Sequence, residues 1–150
     1  MIDTFCGVNF NRGLFNYPPP TPPAVVLPVE IQLAASDEPT ALTTGTEKVT
    51  FRSPIGFTLT AVRASLSVAQ ASGSIFTIDI NQNGASILGT KLTIDNTEKT
   101  SVTAATAATI TTSAIVNDAE ITIDVDQIGL LFPSNNRAKG LKITLIGTRL

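Results

Sequence analysis

Apolar and polar residues alternate with a period of two through much of the chain, most regularly in Ser74-Ile75-Phe76-Thr77-Ile78-Asp79-Ile80-Asn81. Phe76, Ile78 and Ile80 share one face of a predicted strand, and Thr77 and Asp79 point the other way. The tripeptide Thr-Ile-Asp returns at 93–95 and at 122–124, each time in a β-branched run that sets the Ile among inward-facing neighbours. Several half-buried strands of like character must share one core. Antiparallel sheets wet on one side read this way, whereas strands of a covered parallel sheet are apolar throughout.

The same alternation places the other strands. Val29, Ile31 and Leu33 alternate with Glu30 and Gln32, and after a polar turn at 36–39 Val49 and Phe51 alternate with Lys48, Thr50 and Arg52. Phe57, Leu59 and Ala61 share one phase, but Val62, Ala64, Leu66 and Val68 share the opposite one. A change of phase inside one run predicts a bulge or bend near Ala61-Val62, of the kind that turns a long strand around a corner between two sheets. Asn83-Gly84 is the favoured dipeptide of a tight hairpin, so the strand before it pairs with one from about Ser86 to Ile94. The Thr/Ala-rich segment 100–112 carries at most one short strand, and 113–118 is expected to form a helical turn. A strand over 120–128 turns Ile121, Ile123 and Val125 inward, 130–136 is a loop, and Leu141, Ile143 and Leu145 belong to the last strand. About eight strands at turn spacings of roughly ten residues predict an all-β, antiparallel β-sandwich, a jelly roll, over residues 29–150.

Residues 1–28 differ from the rest. Phe5, Phe10, Phe15 and Tyr17 occur among Asn and Gly without regular period, and Tyr17-Pro18-Pro19-Pro20-Thr21-Pro22-Pro23 favours an extended polyproline conformation. An extended, Pro-rich N-terminal arm is one reading and a disordered tail the other; the aromatic residues, which such tails usually lack, weigh for the arm. A sandwich with its own core has no room for these side chains, so Ile2, Phe5, Phe10, Leu14, Phe15 and Tyr17 are the candidate interface residues.

Composition narrows the function. A chain of 150 residues is one domain, able to bury roughly 70% of the surface of its unfolded form. The formal net charge of −2 and the absence of a basic cluster argue against nucleic acid and anionic membranes as partners. Charged residues make up only 15% of the chain and mean hydropathy is +0.26, which implies that some surface lies against other protein. The single cysteine, Cys6, excludes an internal disulfide, and without histidine there is no Cys/His set for zinc. Neither a secretory leader nor a membrane span is legible, so synthesis in a reducing cytoplasm is expected.

Chemistry is sparse. A histidine general base and the Ser-His-Asp arrangement are unavailable, Gly-rich phosphate loops are missing, and Cys6 has no base near it in sequence. No enzyme and no cofactor are expected. Asp124 and Asp126 project from one face of a strand, with Asp79 and Asp95 in the corresponding places of the other Thr-Ile-Asp runs. If those strands are neighbours, a calcium site or a carboxylate pair for hydrolysis is conceivable. The alternative, which we favour, is the wet face of a sheet, with Lys91, Arg63 or Lys142 as possible ion-pair partners. A sugar site usually needs an exposed aromatic platform; Phe51, Phe57 and Phe76 lie in apolar phase, which leaves Phe132 as the candidate.

From about Glu30 onward the chain resembles a β-sandwich domain of tailed phages, especially those of cyanobacteria and other aquatic hosts. The resemblance is carried by Ala41-Leu42-Thr43-Thr44-Gly45-Thr46, Phe57-Thr58-Leu59-Thr60-Ala61-Val62-Arg63-Ala64-Ser65, Thr77-Ile78-Asp79-Ile80-Asn81, Gly84-Ala85-Ser86-Ile87-Leu88, Lys91-Leu92-Thr93-Ile94-Asp95, the run 119–129 and the run 140–147. These are strand-and-turn patterns, which specify a fold better than a job. In that family the domain occurs inside large tail-fibre proteins and as a small separate virion protein. Here it fills nearly the whole sequence, and the short form resembles a capsid decoration, or cement, protein. The resemblance implies a homotrimer on the capsid surface of the virion, with the major capsid protein as partner and the arm residues named above against a neighbouring subunit or the shell. The alternative it leaves is a small tail or fibre-tip protein that binds a host surface glycan.

Overall fold

The computed structural model describes residues 25–129 and 137–149. Most of the expected arm, including Ile2, Phe5, Phe10, Leu14, Phe15 and Tyr17, lies outside the described residues, as do Cys6 and Phe132.

The described residues form strands and loops without a helix. In chain order the strands are β1 (Pro28–Ala34), β2 (Gly45–Arg52), β3 (Phe57–Ser65), β4 (Phe76–Gln82), β5 (Ala85–Ser86), β6 (Leu88–Thr90), β7 (Leu92–Ile94), β8 (Thr109–Ile110), β9 (Ala114–Ile115), β10 (Glu120–Gln127) and β11 (Lys142–Arg149). Sheet one runs β1-β11-β3-β9, and sheet two runs β2-β10-β4, with β5 and β7 sharing the far edge of β4. All pairings are antiparallel. The chain passes from sheet to sheet at nearly every connection and stays within sheet two only around β4, β5 and β7. Counting β5 and β7 as one interrupted strand, this is the eight-strand jelly roll.

Inward-facing residues of both sheets make the core. Phe57, Phe76, Ile78, Ile80, Ile94, Ile121, Ile123, Ile143 and Leu145 have no measurable exposure. The three Thr-Ile-Asp runs are neighbours: β4 lies between β7 and β10, with Ile78 opposite Leu92 on one side and Val125 on the other. Phe51, expected in the core, is only half-buried because β2 is an edge strand.

The phase change in β3 is real and differs in purpose from the expectation. Ala61 pairs with Ile146 and Leu59 with Gly147, so Thr60 is the extra residue, and its hydroxyl donates to the Ile146 carbonyl at 3.1 Å. The strand keeps β11 as its partner on both sides of the bulge, so the bulge re-phases it within one sheet and turns no corner. The strand also ends at Ser65, and Val68 makes an isolated bridge to Lys139 instead of continuing it.

Two further expectations are corrected. Residues 113–118 form no helical turn: Ala114 and Ile115 pair with Thr58 and Phe57, and the Gln82 side chain donates to Ala114 O at 3.1 Å and accepts from Val116 N–H at 3.0 Å. Those backbone groups find strand-like partners across the sandwich, and Ile115 gains full burial. The strand expected over 86–94 is broken in two places. Ser86 pairs with Asn81 in the hairpin and Ile87 N–H donates to Ile80 O at 2.9 Å, after which β6 leaves the sheet to pair with β8, the one short strand expected within 100–112.

Candidate functional site

The outer face of sheet two gathers the carboxylates that the sequence singles out. Asp79 on β4 stands directly opposite Asp124 on β10. Like charges in that position repel, and each is compensated by other groups. Asp79 is a buried polar residue, 6% exposed, because the departing β6 segment passes over it. Its Oδ1 accepts from Ser86 Oγ at 2.7 Å and from Ile80 N–H at 2.8 Å, and its Oδ2 lies 3.1 Å from Lys91 Nζ.

Asp126 reaches the same ammonium because of a second bulge. Val125 pairs with Ile78 but Gln127 pairs with Thr77, which leaves Asp126 as the extra residue of β10. Its Oδ2 lies 2.7 Å from Lys91 Nζ. Lys91 therefore bridges two carboxylates, and its pKa is raised above the ordinary lysine value first by the hydrogen bond to Asp126 and then by that to Asp79.

Asp124 is held by a third irregularity. Ile123 pairs with Val49 and Val125 with Gly45, so residues 46–48 of β2 stand opposite Asp124 alone. Glu47 takes a left-handed backbone, φ 52°, and its N–H, turned out of the ladder, donates to Asp124 Oδ1 at 2.7 Å. Asn81 Nδ2 donates to Asp124 Oδ2 at 2.9 Å. A carboxylate that replaces a missing strand partner in this way is a structural cap on the bulge. Asp124→Ala strands the Glu47 N–H and leaves Asn81 Nδ2 only its longer bond to Thr122 Oγ1, and should destabilise the protein by about 1–3 kcal/mol, with Asp124→Asn losing less because one acceptor survives. Urea unfolding midpoints of the two variants check this ordering.

Asp95, the fourth carboxylate, does not join the cluster. It lies just beyond β7, and its Oδ2 accepts from Ala105 N–H at 2.8 Å. Of the suggested cationic partners only Lys91 is in place: Lys142 pairs with Glu38, whose pKa it lowers chiefly through that hydrogen bond, and Arg63 is exposed. Among the described residues no group of three or more His, Cys, Asp or Glu is arranged to hold a metal ion. The space between Asp79 and Asp126 is filled by the Lys91 ammonium, and the cluster works as a clamp that ties β4, the β6–β7 junction and β10 together. Ser86 was legible in principle: a two-residue turn at Asn83-Gly84 places Ser86 opposite Asn81, beside Asp79. Glu47 was not, since no residue pattern announces the bulge.

A cleft of about 320 Å³ opens between sheet one and the 100–112 segment, lined by Thr60, Val62, Leu92, Ser101, Ala108 and Ile110. Its walls are small apolar side chains with two hydroxyls, one of which, Ser101 Oγ, already accepts from Ala64 N–H at 2.9 Å. Phe57 and Phe76, fully buried, offer no platform to a sugar.

No protein-family model, no curated protein and no solved structure matches this chain.

Proposed function

We propose that the chain is a capsid decoration, or cement, protein of a tailed phage, a homotrimer that binds the outside of the head and strengthens the joints between major capsid subunits. What supports this reading is that the runs resembling the phage virion domain, apart from the one leading into β2, lie on β3, β4, β5, β7, β10 and β11 of a jelly roll, with the apolar phase of the long strands inward. The carboxylates Asp79, Asp124 and Asp126 are engaged with Lys91, Ser86, Asn81 and the Glu47 backbone. Function then rests on binding energy, and a surface sparse in charge suits it. The apolar residues of the arm are the proposed anchor to the shell.

Quantifying the protein in purified virions tests the proposal. A copy number comparable with that of the major capsid protein, and rebinding to heads stripped of it, are expected; a few copies confined to the tail would overturn it. A second reading, a tail or fibre-tip protein that recognises a host glycan, would use the cleft beside Thr60 and Ser101, and a glycan array discriminates the two.

A further inference from the structure

Strand β1 is an edge of sheet one, and its ladder to β11 fixes which of its backbone groups are engaged. Arg149 N–H donates to Leu27 O at 2.9 Å and Ala35 N–H to Leu141 O at 2.7 Å, with the register between them unbroken from Pro28 to Ala34. In an antiparallel ladder hydrogen-bonded pairs alternate with non-bonded ones. Odd-numbered residues are thus bonded to β11, while Pro28, Glu30, Gln32 and Ala34 turn their backbone groups to the free edge.

Among the described residues this edge lacks the protection that the others carry. The comparable edge strand β2 is interrupted by its bulge at 46–48, has Glu47 in a left-handed conformation and bears Lys48 and Arg52, all devices that discourage strand addition. The opposite edges, β9 on one sheet and β5 and β7 on the other, are two or three residues long. Strand β1 has seven residues, no bulge and one charge. Its inward side chains Ile31 and Leu33 are half-buried although their partners Leu145 and Ile143 are fully buried. Val25, Val26 and Leu27, just before the strand, are 82%, 66% and 48% exposed.

We propose that β1 pairs antiparallel with β1 of a second copy about a two-fold axis through Ile31, making sheet one continuous across both chains. The register follows from the strand itself. Backbone groups at the free edge require even residues to face even residues. Centring the axis on Glu30 sets that carboxylate against its own copy and leaves Ala34 unpaired within the strand. Centring it on Gln32 leaves Pro28 unpaired. Centring it on Ile31 engages all seven residues, sets Glu30 opposite Gln32, and places Pro28, which has no N–H, opposite Ala34. Ile31 then meets its own copy in a close non-bonded pair and Val29 meets Leu33, covering the half-exposed apolar row. The inference stands independently of the cement reading: two trimers joined through β1 make six copies, and a chain without the trimer contact makes two, so loss of the β1 pairing halves the mass in either case.

Sedimentation of the full chain at tens of micromolar decides it, in comparison with three variants at Gln32, each of which loses the Gln32 Nε2 bond to Thr144 Oγ1. Gln32→Pro deletes an N–H that faces away from β11, so it should melt near the native temperature yet sediment at half the native mass. Gln32→Glu sets carboxylates against Glu30 at two symmetry-related places and should raise the dissociation constant about tenfold, whereas Gln32→Lys should not. If Gln32→Pro fails to fold, the Glu and Lys pair carries the test. Equal masses for the native protein and Gln32→Pro, or equal dissociation constants for Glu and Lys, would overturn the proposal. So would slow amide exchange at Glu30 and Gln32 in a native species of single-copy mass, which would mean that another segment of the same chain covers the edge.

Discussion

Ile123→Asp should leave no cooperatively folded protein at 25 °C. Ile123 is fully buried at the centre of sheet two, opposite Val49 on one side and Ile80 on the other. A carboxylate there has no partner, and its desolvation costs several kcal/mol or more, against a total stability of about 5–15 kcal/mol for a domain. The matched control is Thr50→Asp, an exposed position on the outer face of the same sheet, which should melt close to the native protein. Thr122 is unsuitable as that control. It is only 4% exposed, its hydroxyl accepts from Asn81 Nδ2 at 3.3 Å, and a charge there would sit among Asp79 and Asp124. Circular-dichroism melts of the two variants read the inner and outer faces of sheet two, and equal melting would mean that the assigned faces are wrong.

Gly147→Val is expected to cost about 3 kcal/mol or more, because no rearrangement of a side chain alone can accept it. Gly147 faces Leu59 at the β3 bulge, where a Cβ would collide with the Thr58 carbonyl oxygen and lie 2.7 Å from Cδ2 of Phe57. One obstacle is backbone and the other is a fully buried ring, so β3 and β11 would have to separate. Gly84→Ala makes the contrast. It has open space around its Cβ and only the left-handed backbone, φ +81°, to oppose it, so its cost should stay near 1 kcal/mol. Should Gly147→Val prove no worse than Gly84→Ala in thermal unfolding, the close approach of the two strands at the bulge would be wrong.

Period-two alternation was enough to place the long strands and their faces. Phe76, Ile78 and Ile80, then Ile121, Ile123 and Val125, then Ile143 and Leu145 are buried as the pattern requires, and the change of phase in β3 located its bulge to within two residues. The pattern failed where side chains are small or where backbone groups make unusual bonds. Ala114-Ile115 is too short to show a period, and its strand pairing depends on β3 and on the Gln82 amide, remote in sequence. The split of the 86–94 strand has the same origin, since β6 leaves for a partner on β8 that residues 100–112 do not advertise. In the acidic patch, the shared face of Asp79 and Asp124 was visible from their phase. Lys91 was one of three possible cations, and only the bulge at Asp126 brings it within reach of two carboxylates at once.

The position of β11 has a consequence for how the chain comes to be folded. It is the latest of the described strands to be synthesised, yet it lies between β1 and β3 inside sheet one. Until residues 142–149 have emerged, β1 has no strand partner among the described residues, and β3 has only the two residues of β9 and a bridge from Ser65 to Thr100. Sheet two can be assembled earlier, from β2, β4 and β10 together with the β4–β5 hairpin, and its apolar face must then wait uncovered. A nascent chain of this topology carries an open half-sandwich through much of its synthesis, closes it by contacts that span more than a hundred residues, and depends on speed or on a chaperone to avoid meeting its own copies on the way.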